Sequence, residues 1–409
     1  MPEPLHLAVA LDGAGWHPAA WREADARPGE LFTAGYWVDL VQQAQRGLLD
    51  LATIEDGLSL QSDSPFVPDE RTDRVRGRLD AVLIAARVGP LTRGIGLVPT
   101  AYATLTEPFH LSKAIATLDF VSTGRAGIRV RMSASPAELR HVGRRTQPEL
   151  TSFDLRDPTV AALVDERFDE AADWVEVLRR LWDSWEDDAE IRDVATGRFV
   201  DRDKLHTIDF AGRWFSVRGP SITPRPPQGQ PVVAALAHAS APYRFIARSA
   251  DVGFITPTDA ASAEVIVREI RSEQDTAGRS GELVHVFGDI VVVLDDDPAA
   301  AAARLRRLDD VAGSELRSSS DAHVFTGSAA QLADLLVDWS TAGLTGFRLR
   351  PATLPHDLVQ ITDRLVPELQ RRGLFRTEYE ASTLRGHLGL ARPANRYATA
   401  TAPTSAATV

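Results

Sequence analysis

Polar side chains stand just past several short apolar runs, and their types limit the chemistry available. Asp56 closes LLDLATIED, and Thr104 follows GIGLVPTAYA. A carboxylate in that position can accept from a ligand's ring N–H or cap the next turn; a hydroxyl can donate to a carbonyl-like acceptor or simply satisfy a loop. Trp16 and His17 follow the first apolar run, and His238, with Ser240 two residues later, follows the fifth. Each histidine titrates near neutrality and is able to move a proton, although a single histidine is more often a loop or surface residue. Arg129 and Arg131 alternate with Ile128 and Val130, so both guanidiniums project to one side of a strand. Such a pair requires either carboxylates from neighbouring strands or an anionic ligand.

Absences narrow the field further. The chain has no cysteine, which excludes thiolate metal sites, disulfides and thiol nucleophiles. It also lacks GxGxxG after the first strand, GxxxxGK[ST], HExxH and GxSxG, so nicotinamide Rossmann, P-loop, zincin and serine-elbow chemistries lose their usual signatures. No metal site is expected, because the aspartates of WDSWEDD point in different directions from a helix end. A net charge of -12 argues against a nucleic-acid surface. No apolar run approaches the roughly 20 residues that span a bilayer, and a cytoplasmic, untargeted protein is expected.

The elements that must hold these side chains alternate. Strands are expected at Leu5–Leu11, Leu49–Ile54, Ile95–Val98, Ala126–Val130, Pro231–Leu236, Val252–Ile255, Leu283–Leu294 and Gly346–Leu349, with amphipathic helical stretches between them. Eight such units over about 370 residues fit a closed (β/α)8 TIM barrel, with an open doubly wound sheet as the alternative. Long insertions follow the fourth strand (134–159) and precede the fifth (186–230), where they are placed to act as lids or binding walls. One domain over 1–392 is expected, with a disordered tail over 393–409.

Taken together, GYWVDLVQQAQRG, EPFHLSKAIATLDFVSTGRAG, ERFDEAADWVEVLRRLWDSWEDDA, HTIDFAGRWFSVRGP and LVPELQRRGLFRTEYEASTLRGHLGL are hard to obtain by chance. The chain resembles the luciferase-like flavin monooxygenases, most closely the nitrilotriacetate and dibenzothiophene-sulfone monooxygenase branch. That resemblance implies a (β/α)8 barrel, usually a homodimer, which takes reduced FMN from a separate flavin reductase and uses O2 to oxygenate a small organic substrate. It also implies that Asp56 and Thr104 support the flavin ring. Trp16, His17 and the insertions are expected around the substrate, and no residue is assigned a catalytic role.

Several positions depart from the family pattern. Arg129 stands at the asparagine of the relatives' WNxVTS, and Phe168 at a tyrosine. Ala235, Ala239 and Pro242 replace the glutamine, serine and glycine after the fifth strand. Either Arg129 and Arg131, with His238, Ser240 or Tyr243, rebuild an anion site for the FMN phosphate, or the site is weakened and the barrel serves as a non-catalytic flavin-binding partner subunit. A deazaflavin is a third reading.

Overall fold

The computed structural model describes residues 4–62, 66, 69–133, 135–142, 152 and 154–398. The apolar runs form β1 (His6–Leu11), β2 (Leu51–Ile54), β3 (Gly96–Tyr102), β4 (Gly127–Arg131), β5 (Val232–Ala237), β6 (Val252–Ile255), β7 (His285–Leu294), β8 (His323–Gly327) and β9 (Gly346–Pro351). All nine pair in parallel within one sheet. β1 to β7 and β9 close into a barrel as β9 returns to β1, with His6 opposite Gly346 and Val9 opposite Leu349. Glycine is required at that seam: a Cβ on Gly346 would lie 2.6 Å from the carbonyl oxygen of His6.

β8 is an addition that the apolar pattern did not suggest. β7 is ten residues long, and its first half pairs with β6 while its second half, from Ile290, pairs with β8. β8 hydrogen-bonds to β7 on one edge and is only partly buried, so it carries no continuous hydrophobic run.

Helices cover the outside: α1 (Ala34–Arg46), α2 (Ala81–Val88), α3 (Pro108–Val121), α4 (Pro136–His141), α5 (Pro158–Asp183), α6 (Ser240–Ser249), α7 (Ala260–Thr276), α8 (Pro298–Ala312), α9 (Leu316–Ser319) and α10 (Ala329–Ser340). Both expected insertions belong to the single connection from β4 to β5. It contains α4, α5 and two short hairpins, Glu190–Asp193 with Arg198–Val200 and Phe210–Ala211 with Ser216–Val217. α5 is fastened to α3 and the loop before it by two buried indoles, with Trp174 donating to the Thr106 carbonyl at 2.9 Å and Trp182 to that of Ser112 at 3.0 Å.

The barrel interior is layered. Ala8, Leu51, Val98, Ala234, Phe254 and Phe287 fill its lower part, and Leu384, Leu388 and Leu390 of the C-terminal segment close the bottom. The chain stays packed beyond the expected tail boundary at 393. Asn395 is buried and donates to the carbonyls of Asp183 and Trp185, so ordered structure continues to the last described residue, 398. The rest of the expected tail, 399–409, lies outside the described residues, as does much of 134–159.

Candidate active site

Above the apolar layer the barrel turns polar, because the inward-facing positions near the C-terminal strand ends hold charges. Thr53 lies on β2 and Glu55 just past its end, Thr100 on β3, Arg129 on β4, Asp289 on β7, and Arg348 and Arg350 on β9. All are buried. Arg129 donates to Thr100 Oγ1 at 3.0 Å and is ion-paired to Glu55. Arg348 grips Asp289 with two bonds of 3.0 and 2.6 Å, and Arg350 reaches both Asp289 and, at 2.5 Å, Asp321. Asp321 precedes β8 and lies 3.3 Å from Nε2 of His238, whose Nδ1 is 2.8 Å from the Thr256 hydroxyl.

Burying charges this way is tolerable only because the chain of pairs is complete. Burial by itself would raise the Glu55 carboxyl, but the Arg129 and Arg348 guanidiniums outweigh it and hold it below the usual range. Asp289 follows the same rule under Arg348 and Arg350. Burial pulls Arg129 down to about 10 against the opposing charge of Glu55, so it remains cationic at neutral pH. His238 is lowered by burial, with Asp321 opposing.

This layer floors a cavity of about 610 Å3 at the mouth of the barrel. Trp16, Val130, Leu236, Phe168, Val164 and Pro242 supply apolar wall, while Arg129, Arg131, Arg167, Arg350, Glu55 and Asp321 supply charge and His238 a polar ring. Trp16 is placed by the loop after β1: its backbone N–H donates to the Pro351 carbonyl at 3.0 Å, and its ring centroid lies 4.5 Å from the Arg350 guanidinium carbon. Gly15, at φ +127, permits that approach, since a Cβ there would sit 2.4 Å from the Ala352 carbonyl oxygen.

Of the residues singled out from sequence, Trp16, Arg129 and His238 line this cavity together. Arg129 already spends its Nε on Thr100 and one Nη on Glu55. Asp56, Thr104, His17 and Ser240 are not among its lining residues. Both oxygens of Asp56 accept backbone N–H groups, Gly57 at 2.7 Å and Ala81 at 3.1 Å, at the start of α2. Burial raises its carboxyl, with these amides opposing. Thr104 accepts from the Ser133 amide at 3.0 Å and borders a separate recess of about 240 Å3 with Leu139 and Phe215. His17 is buried between the Ala19 amide and Asp309, at 3.0 and 3.1 Å. Ser240 is the first residue of α6, although its neighbours Ala239 and Pro242 do border the cavity.

Glu55, Asp289, Asp321, Arg348 and Arg350 were not singled out beforehand. The sequence did signal some of them: GFRLRP repeats the alternation of GIRVR, and Asp289 is a lone charge within the apolar run VFGDIVVVL. Asp321 gave no comparable sign, because a loop and β8 bring it to the mouth.

A closed parallel barrel with one aromatic-walled, charged cavity at the C-terminal strand ends is the architecture of a barrel enzyme. The luciferase-like monooxygenase family pattern matches residues 14–345, and the chain belongs to that family. It is 30% identical to N-acetyl-S-(2-succino)cysteine monooxygenase of Bacillus subtilis, over 96% of this chain and 98% of that one. It is also 30% identical to nitrilotriacetate monooxygenase component A of Aminobacter aminovorans, with the same coverage of each. The crystal structure of a long-chain alkane monooxygenase superposes with a TM-score of 0.84 at 22% identity, covering 95% of this chain and 96% of that one. The protein is therefore a monooxygenase built on a TIM barrel.

Proposed function

We propose that the chain is the oxygenase of a two-component, flavin-dependent system: a cytoplasmic homodimer that takes reduced FMN from a separate reductase and uses O2 to oxygenate a small organic substrate. The barrel-mouth cavity carries this reading. Its volume of about 610 Å3 lies within the roughly 300–1,000 Å3 usual for ligand sites. Val130, Leu236, Phe168 and Pro242 offer flat apolar contact suited to a flavin ring. The phosphate would find amides in place of the lost hydroxyls. α6 begins beside the cavity at Ala239, which makes no side-chain cap bond, so its first-turn N–H groups are not satisfied by their own cap.

Bound there, reduced FMN would supply the electrons that activate O2, which explains why the chain needs no nucleophile or metal motif of its own. The protein's residues bind, orient and exclude water. Trp16 and Arg350 form one wall as a stacked pair, and the Glu55 to His238 network fixes the floor so that neither ring nor substrate contacts shift with solvent.

Anaerobic titration with reduced FMN, followed by admission of O2, tests the proposal. The expected result is saturable binding and a flavin absorbance that differs transiently from both free reduced and free oxidised FMN. No binding at high micromolar flavin sinks the reading. Binding followed by immediate reversion to free oxidised FMN favours a non-catalytic flavin-binding partner subunit.

A further inference from the structure

Most guanidiniums around the mouth are neutralised by the chain itself. Arg129 faces Glu55, Arg348 faces Asp289, Arg350 faces Asp289 and Asp321, and Arg78 pairs with Asp12. Arg131 differs. It lines the same cavity and is exposed, and no carboxylate among the described residues comes within 4.0 Å of it. Its guanidinium carbon sits 5.3 Å from the centroid of Tyr102, and it donates to the Asp56 carbonyl at 3.4 Å. Glu138, on α4, is occupied instead by the Ser133 hydroxyl, the Tyr102 hydroxyl and the Leu58 amide.

A ring and a carbonyl steady this cation at close range, and Glu55 and Glu138 act on it through space without touching it. A cavity-lining guanidinium with no carboxylate in direct contact is a strong partner for a planar or tetrahedral oxyanion.

We propose that Arg131 binds the acidic group of an anionic substrate, a carboxylate, sulfonate or phosphate on a small organic molecule, and selects for such substrates. This rests on the monooxygenase reading above, in which the start of α6 receives the cofactor phosphate. The topology keeps the two anion positions apart. Arg131 leans toward Tyr102 of β3 and the loop after β2, whereas α6 follows β5 on the opposite side of β4. The apolar Val130 and Leu236 lie on the strands between these positions.

Calorimetric titrations of the wild type, Arg131→Gln and Arg131→Lys with citrate, FMN and riboflavin as probes decide the matter. Citrate affinity is expected to fall about tenfold in Arg131→Gln, to recover partly in Arg131→Lys, and FMN and riboflavin affinities to stay within about twofold. A tenfold loss for FMN with riboflavin unchanged would keep Arg131 as an oxyanion anchor and assign the oxyanion to the cofactor. Equal citrate and FMN affinities in all three proteins, or no citrate binding by the wild type together with unchanged FMN, overturn the proposal. Failure of the wild type to bind FMN would count against the flavin reading alone, since the citrate titration needs no flavin.

Discussion

Arg129 stands where the family pattern has an asparagine, and its contacts are to the barrel itself. From sequence its guanidinium was expected either to meet a phosphate or to join a layer of ion pairs, and in the structure it pairs with Glu55 and Thr100. Arg129→Ala would strand the Glu55 carboxylate in the barrel interior. A loss of about 3–5 kcal/mol is expected in chemical denaturation, as for other broken buried pairs. The ratio of FMN to riboflavin affinity should not move, and a selective loss for FMN would return the phosphate to Arg129. Asp56 follows the same logic on a smaller scale. Its oxygens hold the Gly57 and Ala81 amides, so Asp56→Ala should lower stability by about 1–2 kcal/mol in the same measurement.

Among the elements, the C-terminal segment has the clearest energetic role. Leu384 and Leu388 are fully buried against the inward residues of β1 to β7, closing an end that the strands leave open. Leu388→Ala is expected to cost about 2–5 kcal/mol in denaturant unfolding, with little change in ligand affinity at the far end. The seat of this segment is also sensitive to acid. His285 bonds the Leu388 carbonyl through Nε2 at 2.7 Å, and burial lowers its pKa to about 4. The unfolded chain takes up this proton near pH 6.5 and the folded chain does not, so stability falls as pH drops from about 6.5 to 4, by roughly 3 kcal/mol at most. Below about pH 4 the lowered carboxylates Glu55 and Asp289 add a second loss as they protonate. Thermal denaturation across pH 4–8 should show the first slope in the wild type and a flatter one in His285→Gln.

For the whole molecule, alternating apolar runs and helical stretches narrowed the fold to a parallel α/β architecture, a closed barrel or an open doubly wound sheet. Parallel strands buried on both faces must read as apolar segments, and that signal is local. The family resemblance likewise rests on contiguous stretches such as EPFHLSKAIATLDFVSTGRAG, and it led to a monooxygenase without any contact being known. β8 escaped because a one-sided strand need not be continuously apolar, and with it went Asp321. Pairing was equally out of reach. Arg129 and Arg131 are two residues apart and share a strand face, yet one is locked to Glu55 and the other stands open at the cavity, and their polar contacts lie 29 to 75 residues away in the chain. Residue type and spacing thus determined which side chains could carry charge to the barrel mouth. Only the tertiary structure decided which of those charges the protein cancels, because the pairs join β4 to the end of β2 and β9 to β7, which are far apart in the chain.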